Sequence, residues 1–172
     1  MDKQTINESL VISETMSIEL TENEQIALAS GVSAFEAKHF AQSLGLLGPI
    51  AEKGLAEAQY RLAIMYQNGL GVVRNELLAT KWMIAAANQG YPMAQHGLGF
   101  MYMEGDCVAR NGAKAVSWFK KAAEQGMAGS QTTLAMMYET GNGVEQDMEE
   151  ARKWYRLAGF ADDEMNLGSQ LQ

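Results

Sequence analysis

AEAQYRLAIMYQNGLGVVRNELLATKWMIAAANQG, residues 56–90, is spelled twice more further along the chain with small changes. The recurrences fall at even steps: Gly54, Gly90 and Gly126; Gln59, Gln95 and Gln131; Leu62, Leu98 and Leu134; Tyr66, Tyr102 and Tyr138; Gly69, Gly105 and Gly141; Trp82, Trp118 and Trp154. A fixed period of this size means like supersecondary units stacked side by side, because one unit alone cannot bury its apolar face.

Within the quoted stretch, Ala58, Leu62, Met65, Tyr66 and Gly69 recur at spacings of three and four, which marks one face of a helix. Gly69 stands where that helix would end in a left-handed residue. Gly71 and Val72 form a short loop, with Val72 placed to plug the gap between two helices. Asn75 is a good N-cap for the second helix, and Asp147 takes that role in the third copy, where Glu150 completes a capping-box spacing. Ala79, Trp82 and Ala86 mark the inward face of the second helix. Gly90 and Gly126 close the second helices, and Pro92 falls in the first turn of the next helix, where its missing N–H costs nothing. Each copy thus predicts a hairpin of two helices, each about 12–15 residues long. Ala58, Ala63 and Ala86, with Gly99 and Ala135 at matching sites, allow close backbone approach, while Leu62, Tyr66 and Trp82 fill the volume between.

The ends of the array are less regular. Ala51 and Gly54 align with Ala87 and Gly90, and Leu46 stands where a tryptophan would be, so residues 40–53 read as the second helix of a degenerate leading pair. Its first helix is predicted from about Glu22 to Ala37, opened by Thr21 with Glu24 three residues on. The expected organisation is a flexible tail over 1–20, then a solenoid over 21–172. That solenoid divides into a capping pair (21–53), repeats at 54–89, 90–125 and 126–161, and a C-terminal cap over 162–172.

The 172 residues and 47% hydrophobic content suffice for one continuous core. No apolar run approaches the roughly 20 residues that span a bilayer, so membrane insertion is not expected. No basic segment leads into an apolar stretch near the N-terminus. The single cysteine, Cys107, gives no internal disulfide and no cysteine-based zinc site, in keeping with a cytoplasmic location. The net charge of −8 is carried by the two ends, while residues 54–158 balance. An acidic chain without a basic stripe is a poor candidate for nucleic acid.

This pattern resembles the Sel-one-like repeat family, relatives of the tetratricopeptide repeats, over about residues 51–158. The residues that carry the resemblance are Ala56–Tyr66, Gly69, Gly71, Val72, Asn75, Ala79, Trp82, Ala85 and Ala86, with matching positions in the later copies. Departures are Cys107 for a loop glycine, Gly159 for an alanine, and Ser130 for the alanine at 58 and 94. The resemblance implies an all-α fold, a right-handed α/α solenoid of stacked helix hairpins, and a scaffold or adaptor role without chemistry. Some cysteine-rich relatives look like β-lactam binders, but they depend on disulfide-paired helices that one cysteine cannot supply.

Catalytic and ligand readings are weak. His39 and His96 are far apart in sequence and lack metal-ligand spacing, which favours packing or surface roles. Cys107 has no neighbouring cation or helix start in the sequence to lower its pKa. Gln59, Gln95 and Gln131 suggest a ligand ladder, although buried amides more often satisfy backbone groups. No cofactor is implied. A second stripe on the first helices is more informative, since its positions share one face and differ between copies. It reads Glu57, Tyr60, Ile64 and Gln67; then Met93, His96, Phe100 and Met103; then Gly129, Thr132, Met136 and Glu139. In tetratricopeptide-like stacks the corresponding stripe lines the concave groove, and the resemblance carries that over. Exposure is expected for Tyr60, His96 and Met103, whereas Ile64, Phe100 and Met136 are as readily core as surface.

The resulting expectation is an adaptor, not an enzyme, binding a peptide or helix of another protein. Phe100 and Tyr60 would anchor it and Glu57, His96, Thr132 and Glu139 would supply polar contacts. The chain would be a monomer or weak homodimer. Alternatives are a self-associating structural module and, remotely, a hydrolase or binder of β-lactam or cell-wall ligands.

Overall fold

The computed structural model of the chain describes residues 18–161, and among them there are eight helices and no strand. They are α1 (Glu22–Glu36), α2 (Phe40–Glu52), α3 (Ala56–Asn68), α4 (Glu76–Asn88), α5 (Pro92–Glu104), α6 (Gly112–Glu124), α7 (Ala128–Thr140) and α8 (Met148–Leu157). Each helix packs on the next in chain order, which is the contact pattern of an α/α solenoid. The cap over 162–172 and most of the tail lie outside the described residues. Ile18 and Leu20, assigned to that tail, are half-buried; Leu20 packs on the core and Ile18 lies beside Gly54.

Three hairpins share one set of locks. The first helices end at Gly69, Gly105 and Gly141, all left-handed, with their N–H groups donating to Met65, Met101 and Met137. The N-caps Asn75, Asn111 and Asp147 each accept from the first turn of the following helix. Their own backbone N–H groups donate back to the carbonyls of Tyr66, Tyr102 and Tyr138 at 2.8–2.9 Å. That third lock corrects the capping box expected at Asp147. With its N–H held by Tyr138, Glu150 turns instead to Lys153 at 2.9 Å. At Thr21 the box does close: Thr21 N–H donates to Glu24 at 2.9 Å, and Glu24 N–H donates to the Thr21 hydroxyl oxygen at 3.4 Å.

The core runs along the whole stack, with Leu47, Ile50, Leu62, Met65, Met83, Leu98, Met101, Phe119 and Leu134 all but fully buried. α2 is helical despite Gly45, Gly48 and Pro49 because one face is anchored: Leu47, Ile50 and Ala51 are buried and the Ser43 hydroxyl donates to Gly31 O at 2.8 Å. Gly31 is needed there, since a Cβ would sit 2.6 Å from Leu47. α8 is shorter than its counterparts. Gly159, at φ +97°, replaces the helical Ala87 and Ala123, and the helix stops at Leu157.

Candidate partner-binding face

The first helices α1, α3, α5 and α7 lie on one side of the stack and touch each other directly. A hydrogen bond of 2.7 Å joins His96 Nδ1 of α5 to the Ser130 hydroxyl of α7. The rings of Tyr60 on α3 and Tyr91 at the start of α5 are 5.5 Å apart. α1 also packs on α3. The stripe positions therefore form rows across neighbouring helices, one of them Ile64, Phe100 and Met136.

Exposure along the stripe differs from the expectation. Met136 is 53% exposed, Met93 42% and Phe100 37%, so the row is more open at its α5 and α7 end. Tyr60, His96 and Met103, expected to be exposed, are half-buried. Tyr60 packs on the core near Gly97, and burial, with Tyr91 beside it, raises its pKa. His96 is wedged between the Phe100 and Phe119 rings, at 4.8 and 5.5 Å, and burial lowers its pKa. Met103 packs against Phe119 and Met137. Ile64 is also half-buried against the core.

The polar stripe residues already have partners within the chain. Glu57 pairs with Arg61 at 2.9 Å. Gln67 donates to Asp106 at 2.6 Å, Thr132 donates to Ala128 O at 3.0 Å, and Glu139 accepts from the Tyr155 hydroxyl at 2.8 Å. Burial and that carboxylate push the Tyr155 phenol up to about 12. The open part of the face is thus its apolar centre: Met93, Phe100 and Met136.

Ser130, which departs from the repeated alanine, is explained by this site. Its hydroxyl is fully buried, and His96, which stands where the other copies have Tyr60 and Thr132, supplies its hydrogen bond.

The repeated glutamines are structural. Gln59, Gln95 and Gln131 donate to the carbonyls of Ala51, Ala87 and Ala123 at 3.1–3.3 Å. Two more glutamines complete a relay: Gln89 donates to Gln59 Oε1 and Gln125 to Gln95 Oε1, both at 2.7 Å. Those two partners also recur at the repeat interval, a signal the sequence reading passed over. Position 161 in the third copy is alanine, so no third glutamine continues the relay.

The candidate chemical groups do not assemble. His39 lines a shallow depression with Ser30, Ser33, Ala34, Ala37 and Gln42, and neither His96 nor Cys107 lines it. Among the described residues no three of His, Cys, Asp and Glu group as metal ligands would. Cys107 does have a cation near it, contrary to the sequence expectation: Arg74 lies 3.9 Å from its sulfur. Burial and Asp106 outweigh that cation and raise the thiol pKa, so Cys107 is not an activated nucleophile. Asp106 itself is held below the usual carboxylate range by the Gln67 amide and then by Arg74 at 2.7 Å. That cluster ties the α3–α4 connection to the α5–α6 loop. No helix is long and apolar enough to cross a membrane among these residues.

Comparison with known proteins agrees with this architecture. The Sel1 repeat profile matches residues 56–91, 92–127 and 128–159. A Sel1 repeat protein from Oxalobacter formigenes is 33% identical, with TM-score 0.72 over 76% of this chain and 54% of its own. The protective antigen c5321 of uropathogenic Escherichia coli, which displays an SLR fold, is 43% identical, with TM-score 0.66 over 67% of this chain and 25% of its own. The chain therefore spans about half of the first relative and a quarter of the second. Cysteine rich protein B of Helicobacter pylori shares the fold alone, at 17% identity and TM-score 0.52 over 85% of this chain and 95% of its own. Comparison with curated proteins found no match. Three matched repeats, closed by the same glycine caps and threaded by the same glutamine bonds, place the chain in the Sel1 repeat family, whose members generally serve as protein–protein interaction modules.

Proposed function

We propose that this chain is a non-catalytic adaptor that holds a segment of another protein against the exposed face of α3, α5 and α7. The observation that carries the reading is the contrast between conserved interior and variable stripe within this one sequence. Leu62, Leu98 and Leu134 repeat unchanged, while Ile64, Phe100 and Met136 differ at one equivalent position and two of the three are exposed. Exposed apolar side chains grouped on one face mark interaction surfaces, and methionine adapts to irregular partners. Phe100 is the anchor, its ring braced edge-on by buried Phe119 at 5.0 Å.

Because Phe119 braces that ring, Met136 is the cleaner site for a test. Met136→Glu adds a charge to a side chain already half in water and is expected to change stability by less than about 0.5 kcal/mol. It should reduce capture of the native partner from lysate at least tenfold, with Lys120→Glu on α6 as a matched control. Equal capture by both variants would remove the face from consideration.

A further inference from the structure

The face also has a sign. α1, α3, α5 and α7 carry Glu22, Glu24, Glu36, Glu57, Glu104 and Glu139 against one base, Arg61, which is paired with Glu57. The second helices α2, α4, α6 and α8 carry seven bases against five acids. The two helix layers are therefore oppositely charged, at −5 and +2, although residues 54–158 of the sequence balance. Connecting bases only partly offset this: Lys53 pairs with Glu24, and Arg74 is held between Asp106 and Glu76, while Lys38 and Arg110 are exposed.

Two of these acids border the apolar row. Glu104 lies one helical turn beyond Phe100, and Glu139 three residues beyond Met136. Both stand in the last turn of their helices, where the aligned backbone dipoles add further negative potential.

Resting on the adaptor reading, we propose that the occupant is a basic extended segment of another protein. Apolar side chains at every third residue would rest along Ile64, Phe100 and Met136, with lysine or arginine between them reaching Glu104 and Glu139. The spacing follows from packed helices lying about 8–10 Å apart and a polyproline II chain advancing about 3.1 Å per residue, which returns every third side chain to the same side. The chain's own first residues are a poor fit, since Asp2, Glu8 and Glu14 outnumber Lys3 and share the sign of the face.

The test uses the full chain and two labelled synthetic peptides of about 12 residues, identical in their apolar residues at every third position. Lysine fills the remaining positions in one and glutamate in the other. Fluorescence anisotropy should show the lysine peptide binding at least tenfold tighter, with the gap narrowing as salt is raised. Glu104→Gln should narrow it severalfold, and Met136→Ser should weaken the lysine peptide. Equal or tighter binding of the glutamate peptide, still lost in Met136→Ser, overturns the charge inference and leaves the face standing. Lysine-peptide binding indifferent to both substitutions lies elsewhere on the protein and overturns the inference. Binding of neither peptide overturns the inference alone, since capture of the native partner judges the face separately.

Discussion

Replacing Gly99 with alanine should weaken the protein even though alanine is the better helix former by about 1 kcal/mol. A Cβ at position 99 would stand 2.8 Å from both Cδ1 and Cε1 of Phe119 and 3.0 Å from its Cγ. That ring is fully buried and braced by Phe100 and His96, so it cannot swing aside without disturbing those two side chains. Overpacking of this kind costs about 1–3 kcal/mol, and three close contacts on a confined ring argue for the upper part of that range. Set against the helix gain, the net loss is about 1–2 kcal/mol. In the first copy the two matching positions hold Ala63 and the flexible Met83. Phe119→Met should therefore make Gly99→Ala harmless, giving a coupling of about 1–2 kcal/mol between the two substitutions. Urea denaturation followed by circular dichroism across the four proteins measures it. If Gly99→Ala stabilises the protein equally in both backgrounds, the close approach of α5 to Phe119 is wrong.

Gln125→Ala should cost about 1–3 kcal/mol in the same assay, because it leaves the buried Gln95 oxygen without the donor now 2.7 Å away. Gln146→Ala, on an exposed side chain, should cost far less. Stability should also fall in mild acid through His96. Burial keeps its folded pKa below 6.5, so below that pH the unfolded chain takes up a proton that the folded chain refuses. The loss begins as pH drops past 6.5 and is complete once the folded pKa is passed; His96→Gln should flatten that part of the stability profile.

The hairpins were legible because every lock recurs: a glycine cap, an Asn or Asp N-cap and a buried leucine appear three times in register, and local chemistry alone assigns them. The buried role of Gln59, Gln95 and Gln131 followed from the cost of an unpaired amide. What depended on neighbours in space was not legible. Ile64, Phe100 and Met136 occupy one repeat position, yet α1 packs beside α3 and Ile64 is half-buried while the other two are exposed. Tyr60, His96 and Met103 were misjudged because the residues that cover them belong to adjacent repeats or to the partner helix. The capping box at Asp147 failed because a tyrosine carbonyl nine residues back had already taken the N–H. Gly159, a harmless variant by composition, ends α8 early. The charge of the proposed binding face was hidden as well, since it appears only after helices are sorted into two layers.

Methionine oxidation tests the central claim most directly, because the same residue type occurs both on the face and beneath it. Met93 and Met136 are exposed, whereas Met65, Met83, Met101 and Met137 are at most 2% exposed. In the free protein, limited peroxide should convert Met93 and Met136 to sulfoxide before Met65, Met83, Met101 and Met137, as read by peptide mass spectrometry. With the captured partner bound, both should be protected severalfold, while Met148 at the start of α8 keeps its rate. Oxidation of Met93 and Met136 at unchanged rates in the complex would show that the partner sits elsewhere, and the account of this face would fail.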